Sequence, residues 1–358
     1  MKSLIRAVVD TAALRHNLGV VRARAPGARV MAVIKANAYG HGVQPAACAL
    51  AGADGFAVAR LDEGLALRAA GLTNRVLLLE GVFSAAQLAL AARHHFELMV
   101  HSAEQLQLLD ALGGSERVSA WVKVDSGMNR LGFRIEDFPA AYARLASNPR
   151  VEATPTLVTH LANADDRHDP KTARQLRDFS TVTAGIAGAR SIANSAGVLA
   201  WPEACGDWVR PGLMLYGLSP FAGVTGDALG LRAAMTLQSD VIAVKAVRAG
   251  ETVGYGGRWR AARDTSMAVV AAGYGDGYPR GTPSGTPVQV NGARAPLIGR
   301  VSMDMVMVDV TDLPPVAVGD PVVLWGAGLP VEEIAARAGT IPYELICGVS
   351  QRVALDVR

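Results

Sequence analysis

Two residue types able to do chemistry, Lys35 and Tyr39, stand in the segment Ala32-Val33-Ile34-Lys35-Ala36-Asn37-Ala38-Tyr39-Gly40-His41-Gly42, where an apolar run stops and a small-residue loop begins. The chain holds five lysines against thirty arginines, so a merely solvated positive charge at this place would more often be arginine. Lysine offers an amine that can lose its proton, attack an aldehyde and act as a base, which a guanidinium cannot do. On spacing alone an ordinary strand-end lysine stands as an equal alternative. Other polar groups close apolar runs further on: Lys123 with Asp125 and Arg130, then His160, then Asn194 and Ser195, then Arg210 with Gly212, Leu213 and Tyr216. Taken singly, His160 reads as a satisfied core histidine and Asn194-Ser195 as a helix cap.

Such groups need a scaffold that collects strand ends. Arg29 to Ile34 is a short, β-branched apolar run of the kind buried in a parallel sheet, whose last side chain emerges at the carboxyl edge where α/β folds keep their ligands. Further strands are predicted at Phe56 to Ala59, Arg75 to Leu79, Glu97 to Val100, Ala120 to Val124, Thr156 to Thr159, Ser191 to Ala193 and Trp208 to Val209. A helix opens after Asp10, an N-cap residue type, and ends near Pro26. Alanine-rich amphipathic stretches follow at Leu61 to Ala70, Ala85 to His94, Ala103 to Leu112, Phe138 to Ala146 and Lys171 to Ala187. This alternation predicts an α/β fold, a (β/α)8 barrel over residues 10–230.

From Leu231 the texture changes. Val241 to Val247, Ser266 to Ala271, Pro287 to Val290 and Met305 to Val310 are separated by Gly- and Pro-rich turns, with one short helix at Val331 to Ala338. Residues 231–358 therefore read as a second, mainly β domain.

Composition narrows the class. A chain of 358 residues suits a barrel with a smaller unit attached. Half of the residues are hydrophobic and only 5% aromatic, so Ala, Val and Leu fill the core. A net charge of +3 with interspersed signs and no basic run argues against nucleic acid. Cys48, Cys205 and Cys347 are odd in number and far apart, which argues against a disulfide framework and a zinc site and fits a reduced cytoplasm. Met1 to Asp10 has no apolar stretch of signal-peptide length, and no segment offers the ~20 apolar residues of a membrane span. A soluble, cytoplasmic protein without a metal is expected.

The Lys35 segment resembles the pyridoxal-phosphate lysine segment of bacterial alanine racemases, and the later motifs resemble that family's motifs in the same order. The resemblance implies that Lys35 carries the cofactor on its amine and that Tyr39, Ser195 and the amides of Gly212 and Leu213 hold its phosphate, beside Asn194. It implies that Arg210 faces the pyridine nitrogen, hydrogen-bonded by His160, and that Arg130 meets both the cofactor and the substrate carboxylate beside a carbamylated Lys123. In the second domain, the loop Val253-Gly254-Tyr255-Gly256-Gly257 resembles the one that sends a catalytic tyrosine into the partner subunit's site. Tyr255 would then be the second base, its phenolate stabilised by cations. The segments around Tyr274 and Arg280, and around Arg300, resemble the substrate entrance, and Met303 the residue whose amide binds the substrate carboxylate. Leu4 to Val9 resembles an N-terminal strand that joins the second domain. Gln351 stands where many members have tyrosine, which leaves gate width and strictness for alanine open. The implied protein is a homodimeric racemase exchanging L- and D-alanine. A racemase of broader specificity and a fold-related pyridoxal-phosphate decarboxylase are the alternatives, with a non-enzymatic cofactor-binding barrel behind them. Cell-wall precursor supply and D-alanine catabolism are equally compatible.

Overall fold

Eight short strands, Arg29–Val33, Gly55–Val58, Val76–Leu78, Phe96–Val100, Ala120–Lys123, Thr156–Val158, Arg190–Ser191 and Trp208–Val209, close into a parallel barrel in chain order. Residues 3–358 are described by a computed structural model. The first and last strands pair Arg29 with Trp208 and Val30 with Val209. Gly55–Val58, Phe96–Val100 and Ala120–Lys123 are buried at every position, because one face fills the barrel and the other lies under helices. That is why these runs are continuous in apolar character rather than alternating.

The helices begin where their caps allow. Asp10 accepts from the Ala12 and Ala13 amides at 2.8 and 3.0 Å and opens Thr11–Arg24. Ser84 and Ser102 do the same for Ala85–Arg93 and Ala103–Asp110. The strand predicted at Ser191 to Ala193 is shifted to Arg190–Ser191. Ile192 and Ala193 still continue it inward, and the Ala193 carbonyl accepts from the Arg210 amide at 2.9 Å.

The turn that follows the first barrel strand breaks the usual handedness. Ala36, Asn37, Ala38 and Tyr39 have φ between 52 and 53°, a conformation that costs an L-residue roughly 1–2 kcal/mol each. Contacts from outside over-determine it. Glu63 accepts the Ala36 amide at 2.6 Å and the Ala59 amide at 2.7 Å, and the Asn37 side chain accepts the Val43 amide at 2.9 Å. Gly40 closes the turn at φ 80°, and a Cβ there would lie 2.2 Å from the Ile346 carbonyl oxygen.

The second unit is an eight-stranded sheet in the order Thr265–Val270, Val306–Asp309, Ala293–Ile298, Pro287–Val290, Pro321–Trp325, Met235–Val247, Arg6–Val9, Ala354–Val357. Thr265–Val270 also pairs with Met235–Val247, which curls the sheet onto itself. Arg6–Val9 runs antiparallel to Met235–Gln238 and parallel to Ala354–Val357, so the N-terminal strand does join this sheet. The strand expected from Val241 starts earlier, at Met235, with a register shift between Val241 and Ala243 that lets it serve several neighbours. Val331–Ala338 is not the lone helix of this segment: Pro342–Cys347 is a second, whose six residues are too few for a helical period to show in sequence. No helix among the described residues is long and apolar enough to cross a membrane.

Candidate active site

The carboxyl end of the barrel opens into a cavity of about 650 Å³. Lys35, Tyr39, Lys123, Arg130, His160, Asn194, Ser195, Arg210, Gly212 and Leu213 all line it, so the residues expected to hold a cofactor converge from five strand ends.

Arg210 is the electrostatic centre. It is 4% exposed, and its guanidinium donates to Ser191 Oγ at 2.6 Å and to the carbonyls of Thr159 and Ile192 at 2.7 and 3.4 Å. None of these acceptors is a carboxylate. Burial pushes the guanidinium down to about 10, which leaves it a cation at neutral pH. Its Nη2 lies 3.3 Å from His160 Nδ1, and since arginine only donates, that nitrogen is the acceptor and the ring proton sits on Nε2. Burial first, then the charges of Arg210, Lys123 and Arg130, hold His160 well below the ordinary histidine range, so it is neutral.

Lys123 is in the same cationic field. Burial, then Arg210 and Arg130, push its amine down to about 8, with Asp125 opposing. A usable fraction is uncharged near neutrality.

At the far wall the groups form an anion cradle. Ser195 Oγ accepts from the amides of Gly212 and Met214 at 3.0 and 3.3 Å. The cap of the helix Ser195–Ala200 is Asn194, whose side chain accepts from Gly197 N at 2.9 Å, and Ser195, the other half of the expected Asn194-Ser195 cap, is the first helical residue. That difference frees the hydroxyl for the cavity. A Cβ on Gly212 would lie 2.5 Å from Tyr39 Oη, so glycine is what admits the tyrosine hydroxyl. Burial raises the Tyr39 phenol, which stays a neutral donor.

This set fits pyridoxal phosphate. Two hydroxyls and a glycine backbone suit a phosphate, an amine at Lys35 suits an aldehyde, and Lys35, Lys123, Arg130 and Arg210 face a single acidic lining residue among the described residues, Glu80.

Tyr343 and Cys347 also line the cavity, from the helix Pro342–Cys347 of the same chain. Sequence reasoning missed them together with that helix. Tyr255, Met303, Tyr274, Arg280 and Arg300 are not among the lining residues. They sit on the β unit, with Tyr255 70% and Met303 52% exposed, and the Met303 amide finds no acceptor among the described residues. Tyr255 borders a separate hollow with Met305 and Met307.

The model of the alanine racemase N-terminal domain matches residues 9–220, and that of the alanine racemase C-terminal domain matches residues 234–357. The chain belongs to the alanine racemase family. It is 51% identical to the alanine racemase of Shewanella baltica strain OS185 over 99% of each chain. Among solved structures, the biosynthetic alanine racemase of Pseudomonas aeruginosa is 46% identical with a TM-score of 0.96, covering 100% of both chains. The alanine racemase of Bartonella henselae, solved with covalently bound pyridoxal phosphate, is 29% identical with a TM-score of 0.91, again over 100% of both. The chain is accordingly a pyridoxal-phosphate-dependent isomerase that interconverts L- and D-alanine. A decarboxylase and a bare cofactor-binding barrel are disfavoured, since the match runs through the second domain as well.

Proposed function

We propose that this alanine racemase is a cytoplasmic homodimer with two shared sites, each pairing Lys35 of one barrel with Tyr255 of the partner subunit. The barrel would comprise residues 10–230, and residues 231–358 with the N-terminal strand would form the domain that reaches across. The exposure of Tyr255 and Met303, outside the cavity that holds Lys35, supports this division of labour.

Pyridoxal phosphate, when bound, supplies an electron-withdrawing ring that acidifies the substrate Cα–H. Lys35 holds it by its amine and exchanges the Cα proton on the D-alanine face. Tyr255 of the partner subunit exchanges it on the L-alanine face. Tyr39, Ser195 and the Gly212 and Leu213 amides hold the phosphate, with Asn194 fixing the helix beneath. Arg130 and the partner's Met303 amide bind the substrate carboxylate, and Tyr274, Arg280 and Arg300 shape its entrance. Lys123, already destabilised as a cation, is held as a carbamate, which gives Arg130 an anionic neighbour.

The observation that carries racemisation above other reactions of this cofactor is Arg210, a buried permanent donor with only neutral acceptors. It offers no proton to a ring nitrogen, so charge released at Cα stays near Cα and is reprotonated there. Racemisation of L-alanine in D2O tests the two-base reading. Deuterium is expected in essentially all D-alanine formed at early times, because the returning proton comes from a second group. Protium retained in that product would point to one base. Arg210→Glu is expected to slow racemisation by about 10²-fold, the scale of one oriented polar group in a catalytic site, while pyruvate from transamination accumulates. Lost cofactor affinity with no side product would show that Arg210 merely anchors.

A further inference from the structure

His41 is fully buried behind the left-handed turn and is absent from the cavity wall. Its Nδ1 lies 3.1 Å from the Ala38 carbonyl oxygen and 2.9 Å from that of Tyr39. Carbonyls only accept, so Nδ1 carries the proton and donates to both. Nε2 is then bare, buried and without a partner among the described residues, and a second proton there would find no acceptor among them. Burial pushes the imidazole down to about 4, so the ring is neutral.

The two carbonyls belong to residues at φ 53 and 52°, in a backbone conformation that L-residues seldom hold. Glu63 ties down the Lys35 side of the turn at the Ala36 amide, the Asn37 side chain accepts the Val43 amide from beyond the turn, and His41 is the side chain that bonds the carbonyls at its Tyr39 end. The imidazole also packs on Tyr216 with ring centroids 4.5 Å apart. Tyr216 in turn meets Tyr39 at 4.7 Å and donates from its hydroxyl to the Val33 carbonyl at 3.0 Å.

We propose that His41 is a positioning residue of the cofactor site, pinning the Ala38 and Tyr39 carbonyls so that the left-handed turn sets the Tyr39 hydroxyl against Gly212 and the Lys35 amine. The inference rests on the reading of Lys35 and Tyr39 as cofactor residues. It assigns to His41 a grip on the phosphate end of the cofactor, with no contact to substrate.

Two conservative variants of the full-length enzyme test it. His41→Asn keeps an amide N–H near the place of Nδ1, whereas His41→Gln carries it further out. The expected result is a pyridoxal phosphate Kd about tenfold weaker in His41→Gln and within about threefold of wild type in His41→Asn, the scale of two hydrogen bonds lost or kept. KM for L-alanine at saturating cofactor stays unchanged in both. Wild-type affinity in His41→Gln, or equal weakness in both variants, overturns the role. Hydrogen exchange of the wild-type protein gives an independent reading: the amides of 38–42 are expected to stay slow after cofactor removal, and fast exchange would mean that the cofactor, not His41, shapes the turn. Borohydride reduction and peptide mapping separate the levels. An adduct on Lys35 with failed His41 results overturns the inference alone, while an adduct on another lysine overturns the reading beneath it.

Discussion

Lys35→Ala is expected to lose racemase activity by at least about 10³-fold, within the range a positioned acid–base group commands, and to lose the covalent hold on pyridoxal phosphate as well. Both losses follow from position. Lys35 follows the strand Arg29–Val33 at the barrel's carboxyl end and lines the cavity with Tyr39, Ser195 and Arg210. The next lysine in that cavity, Lys123, ends a different strand, and burial first, then the charges of Arg210 and Arg130, depress its amine. Alanine leaves the turn unstrained beyond its present state, because Lys35 itself is not among the residues of positive φ. The fold should therefore survive, and a cofactor added to the variant should bind reversibly and be lost on dialysis. Borohydride treatment of the wild-type enzyme should fix the cofactor to the Lys35 peptide. A reduced adduct on Lys123 would reject the assignment.

How much of this was legible in the sequence differs from residue to residue. The barrel strands were, because parallel strands buried on both faces are short continuous apolar runs, and the polar residues that end those runs necessarily meet at one rim. Lys35, Lys123, His160 and Arg210 were found that way, and the family resemblance then separated them from ordinary core and surface residues. The left-handed turn was not legible. Ala36, Asn37, Ala38 and Tyr39 contain no glycine, and local preference argues against their conformation. A hydrogen bond from Glu63, far away in sequence, helps to impose it, and the Ile346 carbonyl leaves no room for a side chain at Gly40, where the turn closes. Tyr343 and Cys347 escaped for a similar reason, since their helix of six residues carries no period and its relation to the barrel is purely tertiary. That Asn194 alone, and not Ser195, caps the helix is a one-residue matter, and helix ends are seldom resolved that finely from sequence.

The second large effect is a gain of activity from two inactive proteins. Lys35→Ala and Tyr255→Phe homodimers should each be nearly inactive, the first without the amine and the second without the phenol that serves the opposite face. In a two-fold dimer whose sites are shared, every heterodimer collects both defects in one site and neither in the other. Dissociating and re-associating an equal mixture should give roughly half heterodimers, so about a quarter of all sites should be intact. The geometry of one chain is consistent with this outcome, with Lys35 inside the cavity and Tyr255 exposed on the β unit beside a separate hollow. Subunit exchange can be verified by mass-tagging one variant, so that a negative result is informative. Recovery of about a quarter of wild-type activity in the mixture is the result the shared two-base site predicts. Verified heterodimers with activity no higher than the mean of the two variants would contradict it.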